Sequence, residues 1–120
     1  MSTHTKSFLS AMALIAVLSI GLEAAVKPKA ETVNIQTSAI CQSCKNRIER
    51  ALRSVDGIQE AVLNLGNKKV RVKYDPAKIS PDQIRTVIAN TGYDADGMKK
   101  NQEAFTKLPD CCQKPMEGHH

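Results

Sequence analysis

At 120 residues, 42% of them apolar, the chain has room for a single domain of ordinary hydrophobicity. Two Tyr, two Phe and no Trp confine the core to small aliphatic side chains and leave too few rings to stack bases, which sets nucleic acid aside as a partner. The net charge of +5 suits an acidic protein or an anionic membrane, or is simply solvated surface.

The N-terminus reads as an export signal. Lys6 precedes an uncharged run from Ser7 to Leu22, too short for a full membrane span and of the right length for the apolar region of a signal peptide. Ala24 and Ala25 offer small-residue cleavage positions. Residues 1–24 are therefore assigned to a signal peptide and 25–30 to a linker, with an uncleaved membrane anchor as the alternative that Glu23 leaves open. An exported, periplasmic protein is the expectation.

Thr32-Val33-Asn34-Ile35-Gln36-Thr37 alternates polar and apolar, predicting a first strand over about Glu31–Thr37 with Val33 and Ile35 inward. Ile48, Ala51, Leu52 and Val55 then recur at helical spacing, predicting a helix over about Ser43–Val55 that Asp56-Gly57 ends. A period of two returns with Ala61, Leu63 and Leu65 and, after a turn at Gly66-Asn67, with Val70, Val72 and Tyr74, which together read as a hairpin. Ser80-Pro81-Asp82-Gln83 opens a second helix with a cap, a first-position proline and a capping box; Ile84, Val87, Ile88 and Thr91 share a face, and Gly92 is the stop. Tyr93 to about Lys99 is predicted as a short last edge strand. The order strand, helix, strand, strand, helix, strand predicts an α+β, ferredoxin-like βαββαβ sandwich, a four-stranded antiparallel sheet with two helices on one face.

Cys41 and Cys44 lie where the first strand gives way to the first helix. The first thiol falls in the loop and the second in the opening helical turn, where unpaired N–H groups and the helix dipole favour a thiolate. Lys45 and its basic neighbours are expected to lower the thiol pKa values and to steer an acidic partner. Two thiolates select a soft ion: Cu(I) accepts two or three sulfurs and Hg(II) a nearly linear pair, whereas Zn(II) asks for four ligands. A two-coordinate ion stays open to an incoming thiol, as transfer between proteins requires. Rival readings are a thiol-disulfide redox protein, whose usual aromatic and Gly-Pro neighbours are missing here, and a structural domain with an oxidised pair. No Ser/His/Asp set, paired carboxylates or phosphate loop is visible, so the chain is read as a non-enzyme.

Cys41-Gln42-Ser43-Cys44, Val55-Asp56-Gly57-Ile58, Tyr74-Asp75-Pro76 and Thr91-Gly92-Tyr93-Asp94-Ala95 together resemble the heavy-metal-associated domain family, over roughly Thr32 to Ala95 within a domain placed at 31–98. That family includes copper chaperones, metal-binding modules of metal-transporting ATPases and periplasmic mercury-binding proteins. The resemblance implies a ferredoxin-like sandwich with the ion held between Cys41 and Cys44 and passed on by ligand exchange. It also places Tyr93 near the metal loop, unless that ring only caps the core. The family usually has Gly-Met-Thr-Cys with the Met anchoring the loop from inside; this chain has Ser38-Ala39-Ile40-Cys41, with Ile40 or Ala39 expected to fill part of that volume.

Residues 99–120 extend past the usual domain end. A short helix is predicted over Asn101–Leu108, with Phe105 and Leu108 three apart for docking and Pro109 as its stop. A helix turning back would carry Cys111 and Cys112 to the loop. Adjacent Cys seldom bond each other, so on arrival they would add a third and fourth thiolate, tightening Cu(I) binding or building a Zn(II) site; otherwise they are free thiols of a tail or form a disulfide with another Cys, such as one linking the two pairs. Met116, His119 and His120 are further donors. The expectation is a metallochaperone or scavenger with Cys41, Cys44, Cys111 and Cys112 as ligands and Cu(I) as first choice, Hg(II) and Zn(II) as alternatives. It would deliver to a metal-transporting membrane protein or another metal-binding domain, a metal-bridged homodimer being a further arrangement.

Overall fold

The computed structural model describes residues 29–114; the expected signal peptide, most of the linker, Met116, His119 and His120 lie outside them. The elements run β1 (Glu31–Gln36), α1 (Gln42–Arg53), β2 (Ile58–Asn64), β3 (Lys69–Tyr74), α2 (Pro81–Thr91), α3 (Gln102–Thr106) and α4 (Asp110–Gln113). The strands make one antiparallel sheet in the order β1-β3-β2. Glu31 stands opposite Tyr74 and Gln36 opposite Lys69 on one side of β3; Ile58 and Asn64 face the same two residues from the other.

Strand β3 shows why the sheet has one dry face. Val70, Val72 and Tyr74 are buried while Lys69, Arg71 and Lys73 alternate with them in solvent. Ile35, Ala61 and Leu63 join the dry face, and α1 and α2 lay Ile48, Leu52, Ile84 and Ile88 across it. Each such aliphatic side chain contributes roughly 1.5–3 kcal/mol on burial, which makes this layer the main driving force of the fold.

The helix punctuation is as the sequence predicts. Gln83 N–H donates to Ser80 Oγ at 3.2 Å and Ser80 N–H to Gln83 Oε1 at 2.9 Å, closing the capping box. Gly92 ends α2 in the left-handed region, φ 110°. A Cβ there would also meet Leu108 Cδ1 at 3.1 Å and the Phe105 backbone at 3.2 Å, so this glycine lets the tail approach as well as stopping the helix.

The fourth strand is not formed. The chain meets the edge of β1 at one bridge, Thr37 with Ala95, and then doubles back, Ala95 and Met98 exchanging both backbone hydrogen bonds at 2.9 Å. Asp96, at φ 54°, makes this turn. Its N–H donates to Gln36 O at 2.8 Å and its Oδ1 accepts from Gln36 N–H at 2.9 Å, so a side chain stands where a strand carbonyl would be. Arg85 Nε, 2.9 Å from Oδ2, holds the carboxylate in place. Among the described residues the sheet has three strands rather than four.

The tail turns back. Asn101 caps α3 by accepting from Ala104 N–H at 2.8 Å and donates its own N–H to Ala89 O at 2.9 Å. Leu108 is 8% exposed and belongs to the core, while the Gln113 amide donates to Leu108 O at 2.6 Å and Thr106 O at 3.1 Å. These contacts aim α4 at the N-terminus of α1.

Candidate metal centre

Cys41 occupies the N-cap of α1 with an extended backbone, φ −153° and ψ 171°, and Cys44 lies in the first turn. One turn of helix therefore holds both sulfurs on one side, 3.1 Å apart. From α4, Cys112 Sγ lies 3.7 Å from Cys41 Sγ and 4.0 Å from Cys111 Sγ. The sulfurs of Cys41, Cys111 and Cys112 all fall within 4.8 Å of one another. All four cysteines are free thiols, Cys44 and Cys112 buried and the other two half-buried. The structure thus gathers every thiol singled out in the sequence, and Cys41 is common to the pair and the triad.

The loop is braced by one of the side chains the sequence pointed to and by polar groups it did not. Ala39 fills the inward position and is fully buried, with Ile40 half-buried beside it. Polar bonds supplement that small side chain: Thr37 Oγ1 donates to Lys68 O at 2.8 Å and accepts from Ala39 N–H at 3.2 Å, and Ser38 Oγ accepts from Asp94 N–H at 2.9 Å. Ser38 and Asp94 are 56 residues apart in sequence, and no local pattern announces such a bond.

Burial governs the charge state of the first pair. It raises the Cys41 thiol above the ordinary range, with Cys44 pulling the other way, and it pushes Cys44 up to about 11. Burial opposes ionisation of Cys112 too, but the polar groups around it, Tyr93 first and then Cys44, Ser43 and Cys41, outweigh it and lower that thiol to about 7. Tyr93 is 1% exposed, and its hydroxyl has no conventional partner among the described residues. Burial first, then the sulfurs of Cys112 and Cys44, push its pKa upward, so it keeps its proton beside the sulfurs. Tyr93 therefore lines the thiol cluster and does not merely cap the core.

Lys45 does not lower the thiol pKa values as the sequence suggested. Its ammonium is bound by Glu49 one helical turn on, away from the thiols. Glu49 is 7% exposed; its Oε2 also accepts from Leu63 N–H at 2.7 Å, and Arg53 Nη2 lies 3.6 Å from Oε1. Burial raises the carboxyl, but Leu63, Lys45 and Arg53 together hold it below the usual carboxylate range. Glu49, a charged residue of α1, is a buried clamp between α1 and β2.

A helix-covered sheet with two thiols across the first N-cap defines a small metal-binding module of ferredoxin-like type. The family model described as "Heavy-metal-associated domain" matches residues 38–94. A solved CopZ metallochaperone is 33% identical, with 54% of this chain and 98% of that chain covered and a TM-score of 0.53. The N-terminal domain of a potential copper-translocating P-type ATPase from Bacillus subtilis, solved in the Cu(I)-loaded state, is 26% identical, covering 57% and 86% of the two chains at a TM-score of 0.54. A copper-exporting P-type ATPase of Staphylococcus aureus (strain Newman) is 33% identical over 87 residues, which is 72% of this chain and 11% of the ATPase. The chain thus spans about a ninth of the length of the curated relatives it matches. It belongs to the heavy-metal-associated domain family.

Proposed function

We propose that this protein is an exported copper carrier that binds Cu(I) between Cys41 and Cys44 and passes it on by thiolate exchange. The observation that carries the reading is the pair of sulfurs 3.1 Å apart at one helix N-terminus, in a chain similar to a metallochaperone and to copper-ATPase domains. Burial favours the protonated form of both thiols, so uptake of Cu(I) releases a proton from each thiol that binds. Cys41, the more exposed of the two, is the sulfur at which a partner's thiolate enters: three sulfurs share the ion, then one leaves with a proton. The receiving partner is a metal-transporting membrane protein or another domain of this family.

Anaerobic titration of the reduced protein with Cu(I), Hg(II) and Zn(II), followed by mass spectrometry under native conditions, tests this. One Cu(I) per chain, lost in C41S/C44S, is the expected result. Uptake of Hg(II) or Zn(II) in preference to Cu(I) would change the cargo. Uptake of none of the three would leave thiol-disulfide exchange by the same pair as the better reading.

A further inference from the structure

We propose that Cys111 and Cys112 complete, with Cys41, a three-sulfur site for Cu(I), and that the tail carrying α3 and α4 is a strap that retains the ion. This rests on the reading of Cys41 and Cys44 as the pair that takes up and hands on the ion, and adds where the cargo is kept in between: Cys44 gives way to Cys111 and Cys112.

The spacing of the sulfurs supports it first. Thiolates lie about 2.3 Å from a bound ion, so three in a trigonal plane are roughly 4 Å apart and two in a line roughly 4.6 Å apart. Cys112 stands 3.7 Å from Cys41 and 4.0 Å from Cys111, with the third separation within 4.8 Å. The triad is already near trigonal spacing. Cys41 and Cys44, at 3.1 Å, must spread before they can hold an ion between them.

The second support is that the tail is held by groups other than its thiols. Leu108 packs on Gly92, Asn101 N–H donates to Ala89 O, and the Gln113 amide ties α4 to α3. The third is the Tyr93 hydroxyl, buried without a conventional partner beside Cys44 and Cys112, a donor to which a metal-bound thiolate would give an acceptor.

The strap also sets the terms of release. Its sulfurs lie beside Cys41, on the side where a partner's thiolate must enter, so delivery requires the partner to displace a donor tethered to the same chain. Retention is therefore written into the tail.

X-ray absorption on the Cu(I)-loaded, reduced full chain tests this, together with competition against a coloured Cu(I) chelator for wild type and C111S/C112S. Three sulfurs per copper in wild type and two in the variant are expected. The variant's affinity should fall roughly tenfold or more, because a tethered donor acts at an effective concentration of about millimolar. Two sulfurs in wild type, an unchanged affinity in the variant, or copper recovered only in dimers joined through Cys41 and Cys44 would each overturn the strap while leaving the copper pair standing. Wild type that takes up no copper would sink both. The coordination number of wild type decides the matter even if the variant is poorly folded.

Discussion

The two cysteine pairs reach one place by different physics. Cys41 and Cys44 are placed by a twelve-residue helix whose buried side, Ile48 and Leu52, is part of the core; their backbones move apart only if that helix rearranges, while side-chain rotation adjusts the sulfur spacing. Cys111 and Cys112 ride on a four-residue helix, far shorter than one that holds together on its own, and its position depends on Leu108 and Gln113. The first pair shares the stability of the whole domain, whereas the second can open locally while the domain stays folded. A donor set can thus be enlarged, or relaxed, without touching the fold that carries it.

The largest effect that sharpens this contrast is at the sulfur both sets use. C41S should weaken Cu(I) binding on the order of a hundredfold, taking about 3 kcal/mol per sulfur from the 10–16 kcal/mol typical of four-ligand sites. C44S, which spares the triad, should cost clearly less in the same chelator competition. Equal losses would erase the distinction between the pair and the triad. Next comes the anchor of the tail. Leu108→Ala should remove about 2–3 kcal/mol from tail docking, seen as faster amide exchange over residues 101–113 with the urea midpoint of the domain little changed. A matching fall in the global midpoint would show that the tail is part of the cooperative core.

The smallest effect is on the rigid side. Glu49→Gln should cost about 1–2 kcal/mol of global stability at neutral pH, through loss of a charged acceptor for Leu63 N–H and Lys45. Because the folded protein holds Glu49 below its unfolded value, that contribution is complete above the ordinary Glu range and disappears as pH falls through the folded pKa. The difference between wild type and variant should accordingly shrink below about pH 4. A difference that does not vary with pH would assign the cost to packing instead.

Much of this was legible in the chain because the signals are local. The alternation in β3, the Ser80/Gln83 box and the Gly92 stop each lie within a few residues of the structure they specify. Cys41 and Cys44 were visible for the same reason, and Phe105, Leu108 and Pro109 marked a short docking helix whose return to the loop the sequence left open. What escaped depends on partners distant in sequence. The last strand fails because Asp96 bonds Gln36, 60 residues away, and Ser38 finds Asp94 across 56. Glu49 reads as a surface residue until β2 brings Leu63 N–H to it, and Lys45 as a free cation until Glu49 binds it.

Asp96 also gives the sheet a boundary. The rim of β1 offers peptide groups that another extended chain could zip onto. By closing both backbone groups of Gln36, Asp96 denies an in-register continuation at the end next to the thiols. If the proposed carrier role holds, a molecule that meets its partner over a shared ion can part from it without having merged their sheets.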